Sequence, residues 1–435
     1  MDPILLGTIG LAILLVLMFL GIHIGFSMAI VGFVGFMYLR GWDASLSMAG
    51  IVPYTNMASY MFCVLPLFLL VGEFGILSGI VPDAYRTCYH WLGRLPGGLA
   101  IASMGGCAAF AAVCGLSSAS TLTMTRICLP QMLDYKYAPS LATGVLAAGG
   151  TLGILIPPSG PLIMYGLISG ESIGALFMAG IIPGIMLTIM FMITIYIICK
   201  RNPQLGPRGP VVSWKKKFTS LKDLWGIVVV FALIMGGIWG GFFTPTEAGA
   251  IGTVAVLIIT FIRKKATGQS VLNALRATFT TTGMCLIMLI GAFMFNYFIT
   301  GTKLPFELAG FVAGLPLPPV GIMLCIILLY AVLGCFIEVL VLLLLLTPIF
   351  YPVITALGYN PIWFGVITIL LMQLGNITPP VGGSVFLIGG ISKIPIYTIF
   401  RGVTPFILTV VVCIVLLLIF PQIVTVLPDT MMASR

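Results

Sequence analysis

The sequence predicts an all-α polytopic membrane protein built as an inverted repeat, with five spans, one re-entrant hairpin and one proline-broken helix in each half. Three observations predict it. The 435 residues are 60% hydrophobic and only 7% charged, and their mean hydropathy is +1.20. The apolar residues gather into runs close to the roughly 20 residues a helix needs to cross a bilayer. A glycine- and proline-rich string in the first half returns 222 residues later in the second.

Composition comes first because it excludes most other classes. A soluble protein keeps about a quarter of its residues charged, whereas here 20 basic and 11 acidic residues serve the whole chain. The net charge of +9 does not point to nucleic acid, because the basic residues lie in gaps between apolar runs and form no stripe with aromatics. The ten cysteines show no paired spacing, and Cys63, Cys107, Cys285, Cys325 and Cys413 lie inside apolar runs. They read as small buried hydrophobes. Two histidines, His23 and His90, are too few and too far apart for zinc. Met1-Asp2-Pro3 lacks the basic start of a signal peptide, so the first apolar run reads as a retained span.

In chain order the spans are Ile4–Leu20, Ile24–Leu39, Tyr60–Leu77, Ala138–Ile168, Ile173–Cys199, Leu224–Phe243, Glu247–Ile262, Phe279–Thr300, Pro361–Ile388 and Ile394–Phe420. Two more stretches, Gly97–Leu129 and Val320–Phe350, are interrupted by Gly115-Leu116-Ser117-Ser118 and by Gly334. Each is either one span or a hairpin that returns to its starting side, and charge decides between them. With hairpins and an outer N-terminus, the inner side receives Arg86, Arg94, Arg126, Lys136, the seven basic residues from Lys200 to Lys222, Arg263–Lys265, Arg276, Lys393 and Arg401. The outer side keeps Arg40, Lys303 and Arg435. If the stretches spanned, Lys200 to Lys222 would lie opposite Arg86 and Arg94, so the positive-inside rule favours hairpins.

The segment Lys200–Asp223, with Lys215-Lys216-Lys217, divides the chain near its middle. It reads as a basic cytoplasmic linker held at an anionic lipid surface, separating a first repeat (1–199) from a second (224–435). The run Leu152-Gly153-Ile154-Leu155-Ile156-Pro157-Pro158-Ser159-Gly160 answers Leu374-Gly375-Asn376-Ile377-Thr378-Pro379-Pro380-Val381-Gly382. Tyr137, Pro139 and Pro130 meet Tyr359, Pro361 and Pro352 at the same offset. An odd number of spans per copy turns the second copy over, and inverted repeats with interrupted helices are the build of secondary transporters. Each Pro-Pro pair removes backbone donors, and nearby glycines ease unwinding. Freed carbonyls suit a desolvated Na⁺, and freed N–H groups suit a carboxylate.

These strings, together with Gly150-Thr151, Gly115-Leu116-Ser117-Ser118-Ala119-Ser120 and Thr244-Pro245-Thr246-Glu247-Ala248, resemble the large membrane subunit of tripartite ATP-independent periplasmic (TRAP) transporters. The resemblance covers essentially the full chain. It implies Na⁺-driven uptake of an organic acid by an elevator motion in the bacterial inner membrane. It also implies two partners, a small four-helix membrane subunit and a periplasmic substrate-binding protein. It needs no cofactor beyond Na⁺ as the coupling ion. By position it implies one Na⁺ site at Ser117 or Ser118 with carbonyls near Gly153, Ile156 and Pro158. A second would use carbonyls near Gly334, Gly375 and Val381, with Thr378. Ser159 and Asn376 become expected substrate contacts. Arg126 departs from the family's usual pattern; it is a further substrate contact or, alternatively, an inner-face anchor.

Three carboxylates remain. Thr244-Pro245-Thr246-Glu247 fits a capping box better than a proton-coupling site. Glu73 and Glu338 lie deeper in apolar sequence, where an ionisable group is costly and a functional suspect. An enzyme is excluded by the lack of a His-Glu-x-x-His string, a paired-Asp motif or a Gly-x-Ser-x-Gly elbow, and a pump by the lack of a Walker loop. A channel or structural subunit, and a stand-alone Na⁺/carboxylate symporter, stay open as alternatives.

Overall fold

The computed structural model describes residues 3–20, 22–209, 212–304, 307, 310 and 318–433. Met1, Asp2 and Arg435, used above, lie outside the described residues. Within them the secondary structure is helical, without strands. The first half runs α1 (Pro3–Phe19), α2 (Ile24–Arg40), α3 (Trp42–Met57), α4 (Val64–Ser78), α5 (Ile80–Leu92), α6 (Gly98–Cys114), α7 (Ser117–Asp134), α8 (Pro139–Thr151), α9 (Gly160–Ser169) and α10 (Ile173–Arg201). The second runs α11 (Trp214–Leu221), α12 (Trp225–Trp239), α13 (Pro245–Ile262), α14 (Gly268–Gly301), α15 (Pro319–Gly334), α16 (Val339–Ala356), α17 (Pro361–Ile377), α18 (Gly383–Ser392), α19 (Ile396–Ile419) and α20 (Gln422–Ala433).

Seven helices among the described residues are long and apolar enough to cross a membrane, against ten spans expected from sequence. The difference has physical causes. The breaks cut two expected spans into α8 with α9 and α17 with α18, and α1 and α2 have 17 residues each, about 25 Å of helix against a hydrocarbon core of about 30 Å. Conversely Val339–Ala356, one arm of the second interrupted stretch, qualifies by itself. Helices α3, α5, α11 and α20 were not expected. Helix α5 buries Ile80, Val81, Ala84 and Tyr85 and exposes Arg86, an amphipathic pattern too short to read as a span.

Both interrupted stretches are helical hairpins. Met124 on α7 lies beside Gly106 on α6, and Ser103 Oγ is 3.7 Å from Met132 Sδ, so the arms run antiparallel away from Gly115-Leu116. The hairpin reaches Asp134 rather than Leu129. In the second, Tyr330 packs on Phe350 at 5.9 Å, and Gly334 faces Leu342. Its turn occupies residues 335–338, just past Gly334.

The hairpins bring the basic segments to one end of the bundle. Arg86 bonds Asp83 at 2.9 Å and Asp223 at 3.1 Å, and Arg263 pairs with the same Asp83. Had the first stretch spanned, Arg86 and Asp223 would be a bilayer apart. The linker is also more ordered than a tether. Gly97 N donates to Gly206 O, Ala138 N to Leu205 O, and Tyr137 Oη to Pro207 O. Helix α11 lies on α5, with Trp91 Nε1 donating to Lys217 O and Thr87 Oγ1 to Ser220 O. His90, facing this basic end, is held below the ordinary histidine pKa by burial and by the charges of Arg86 and Lys216. A cysteine replacing Ser213 is expected to resist impermeant thiol reagents added to intact cells. Rapid labelling there would reverse the assigned orientation.

Helix starts recur at nearly constant separation. Pro3, Ile24, Gly98, Ser117, Pro139, Gly160 and Ile173 open helices that are answered by Trp225, Pro245, Pro319, Val339, Pro361, Gly383 and Ile396. The centre is α8 and α17, buried over almost their whole lengths. Helix α8 meets α19 where Gly144 and Gly402 touch backbone to backbone, an approach only small residues permit. Outside, α10 exposes Ile185, Ile189, Ile193 and Ile197 at helical spacing, a stripe suited to lipid.

Candidate functional site

The first hairpin tip forms because Gly115 takes a left-handed φ of 67° and Leu116 is extended, ending α6 and restarting the chain as α7. A side chain at Gly115 is doubly excluded, by that φ and by Pro158 O, which a Cβ would approach to 2.6 Å. Gly160 N donates to Gly115 O at 2.9 Å, and Gly153 lies against the Leu116 backbone. The tip is therefore stitched to the first break by main chain. Ser159 closes that break from within. Its Oγ donates to Ile154 O at 2.5 Å and accepts from Leu162 N, capping α9. It is wholly buried.

The second tip and break repeat the arrangement with different chemistry. Gly334 touches Gly375 so closely that a methyl group on Gly375 would overlap the Gly334 carbonyl. Glu338 is the N-cap of α16, its Oε2 accepting from Leu340 N at 2.9 Å and Val341 N at 3.4 Å. Helix α17 ends at Ile377; Thr378 Oγ1 donates to Leu374 O at 2.6 Å, and Pro379, Pro380 and Val381 are exposed. The Pro157-Pro158 and Pro379-Pro380 peptide bonds are both cis.

Asn376 joins the two halves. Its Nδ2 donates to Ser117 Oγ at 3.1 Å and to Ser384 Oγ at 3.1 Å. One amide thus links the first hairpin tip, the end of α17 and the start of α18. A Cβ on Gly383 would approach Asn376 Oδ1 to 2.6 Å, so the glycine makes room for that oxygen. The cluster is built of hydroxyl, amide and backbone groups and carries no ionisable side chain of its own. Such a set of hard, neutral oxygens fits a desolvated alkali cation.

Of the predicted positions, Ser117, Gly153, Pro158, Gly334, Gly375 and Asn376 are brought into these tip–break contacts. Ile156 is buried in the first break, and Thr378 borders the second. Ser118 and Arg126 are exposed on α7, outside the Asn376 bridge. Sequence reading missed Ser384, which has no hydroxyl counterpart in the first half. It also missed Gln373, one turn before Asn376, which is wholly buried with neither amide atom bonded among the described residues. Glutamine inside an apolar run was the available signal.

Helix α4 meets the first tip, where a Cβ on Gly72 would lie 2.8 Å from Cys114 O, and α14 packs on α16. Of the remaining carboxylates, Glu247 completes the predicted capping box, its Oε2 accepting from Thr244 N at 2.8 Å. All ten cysteines are free thiols, and no cluster of three or more His, Cys, Asp or Glu occurs among the described residues.

Fold and site define a multi-pass helical membrane protein. Residues 11–423 match the family model described as tripartite ATP-independent periplasmic transporter, DctM component, and the chain belongs to that family. It is 33% identical to the sialic acid TRAP transporter large permease protein SiaM of Vibrio cholerae, covering 95% of this chain and 96% of that one. It is 31% identical to the ectoine large permease TeaC of Halomonas elongata, over 97% and 99% of the two chains. With the C4-dicarboxylate large permease DctM of Pseudomonas aeruginosa it shares 31% identity over 85% and 86%. The crystal structure of the YdaH transporter of Alcanivorax borkumensis shares the fold, with a TM-score of 0.66, 15% identity and coverage of 87% of this chain and 88% of that one. The protein is a TRAP transporter large permease subunit.

Proposed function

We propose that this subunit imports a small carboxylate across the bacterial inner membrane in symport with Na⁺. A periplasmic binding protein delivers the substrate, and a small membrane subunit completes the assembly. The halves 1–199 and 224–435 act as inverted repeats about the basic linker. The observation that carries the reading is the Asn376 bridge, which ties the first hairpin to the second broken helix through neutral oxygens. Two hairpins and two broken helices then move as one body, an elevator, against a frame containing α4 and α14. Ser117 or Ser118 with carbonyls of Gly153, Ile156 and Pro158 holds one Na⁺. Thr378 with carbonyls of Gly334, Gly375 and Val381 holds another. Substrate lies beside Asn376. Ser159, whose hydroxyl is spent on Ile154 O and Leu162 N, supports the walls rather than touching the ligand.

The test is uptake of a labelled acid into proteoliposomes with both partners present. Uptake that collapses without a Na⁺ gradient and without the binding protein supports the reading. Na⁺-driven uptake that ignores the binding protein would make the chain a stand-alone symporter, and flux without coupling would make it a channel. Thr378→Ala removes one hard oxygen of about five, and is expected to raise the Na⁺ concentration for half-maximal uptake roughly tenfold, about 1.4 kcal/mol. Should uptake instead follow pH and ignore Na⁺, Glu338 replaces Thr378 as the coupling group to test.

A further inference from the structure

Helix α11 carries a face that transport chemistry does not use. Trp214, Phe218 and Leu221 stand at i, i+4 and i+7, and Trp225 continues their line past the 3₁₀ turn Lys222–Leu224. All four side chains are open, Trp214 at 68%, Phe218 at 59%, Leu221 at 42% and Trp225 at 41%. Large apolar groups in one exposed line mark a surface that meets something other than water. This line is not the side that packs on the protein. Ser220, the buried residue of α11, marks the side against α5, about 130° round the helix from the stripe.

The aromatics also fix the depth of this surface. Trp91, Trp214 and Trp225 are three of the six tryptophans, and they gather at the end of the bundle where Arg86, Asp223 and Arg263 meet. Trp91 meets Phe218 edge-on at 5.6 Å, Phe218 stacks on Trp214 at 6.2 Å, and Arg263 lies over the Trp225 ring at 5.9 Å. Tryptophan collects at the boundary between hydrocarbon and water. Helix α11 therefore lies at headgroup level.

Charge completes the surface. By helical spacing Lys215 and Lys222 flank the stripe on the side away from Ser220. Lys217 flanks it on the other side, its Nζ 4.8 Å from the Trp214 ring centroid, and Lys216 stands opposite. Helix α11 carries no acidic residue. Asp83 and Asp223 at this end are taken by Arg86 and Arg263, and the four lysines join none of the ion pairs among the described residues.

Building on the inner placement of Lys200–Asp223, we infer that α11 is a docking surface for anionic phospholipid of the inner leaflet. The stripe Trp214–Phe218–Leu221 enters the acyl boundary, while Lys215, Lys217 and Lys222 meet lipid phosphates from both sides. A soluble phosphate would leave the stripe uncovered, and a neutral leaflet would leave the lysines without counter-charge. Helix α11 grips α5 through Trp91 and Thr87, and α5 runs by a short turn into the first hairpin arm at Gly98. The leaflet thereby steadies the base of that hairpin.

The full chain carrying p-benzoylphenylalanine in place of Phe218 tests the inference. It is irradiated in cell membranes, where protein partners are present, and in nanodiscs of equal phosphatidylethanolamine and phosphatidylglycerol. Adducts on the peptide containing residue 218 are read by mass spectrometry. Lipid adducts are expected in both, with phosphatidylglycerol favoured about fivefold in nanodiscs. The preference should fall toward parity in the variant Lys215→Gln/Lys222→Gln. The photoreactive residue in place of Leu221 repeats the measurement should the position-218 variant fail to fold. A protein adduct in cell membranes makes the stripe a subunit interface and overturns the inference. Absence of lipid adducts at both positions, or equal adducts of the two lipids, overturns it too, as does a preference unchanged by removing the two lysines. None of these readings depends on uptake, so loss of Na⁺ coupling would remove the symport reading and leave this one standing.

Discussion

Alanine at Asn376 is expected to reduce Na⁺-driven uptake by about 30- to 150-fold while leaving the protein folded. The amide makes two hydrogen bonds, to Ser117 and Ser384. Their loss, with serine hydroxyls left facing a gap, costs about 2–3 kcal/mol, and each 1.36 kcal/mol is about a factor of ten. That cost falls on one arrangement, the one in which the first hairpin tip and the second break are aligned, so it is felt in transport rather than in assembly. The helices themselves are held by α8 and α17 and their apolar neighbours, which the substitution does not touch. Uptake rates at saturating Na⁺ and Na⁺-induced thermal stabilisation check it together. An alanine variant that transports within threefold of the parent would remove the bridge from the site.

A disulfide between α4 and α6 is expected to stop transport reversibly. A Cβ on Gly75 would lie 3.6 Å from Val113 Cβ, inside the roughly 3.5–4.5 Å a disulfide requires. The close contact of that Cβ with Val113 Cγ1 disappears when Val113 also becomes cysteine. The pair Gly75→Cys/Val113→Cys would thus fix the hairpin arm, one residue before Cys114, to the proposed frame. Oxidation should silence uptake and reduction should restore it, with Val113→Cys alone active in both states. Continued uptake by the fully cross-linked protein would mean that the hairpin does not move against α4. Gating around a fixed site would then replace the elevator.

Composition alone determined the membrane class, because 31 charged residues in 435 leave no way to cover a water-facing surface. The helix breaks were equally legible. Proline and glycine act through the backbone of their own residues, so Pro157-Pro158, Pro379-Pro380 and Gly115 carry their consequence wherever the chain goes. The Thr244–Glu247 capping box is local in the same sense and stands as read. Charge bias also read the first interrupted stretch correctly as a hairpin, since Arg86 reaches Asp223.

What the sequence left undecided depends on packing across distance. Ser117 and Asn376 are 259 residues apart, and no periodicity tells which of two adjacent serines meets a partner that far away. Ser384 was invisible because its bond to Asn376 exists only once the second break sets the start of α18 beside the end of α17. Glu338, an acid within an apolar run, also caps α16, a role set by where the hairpin turn falls. Ser159 bonds Ile154 and Leu162 across the first break, partners that only the folded break supplies. The short helices α5 and α11 escaped notice because each is too short to read as a span and gains its place by packing, α5 on α6 and α11 on α5. Local chemistry fixes where the chain must break, and the tertiary fold decides which broken ends meet, because hydrogen bonds and close backbone contacts need partners that sequence spacing does not supply.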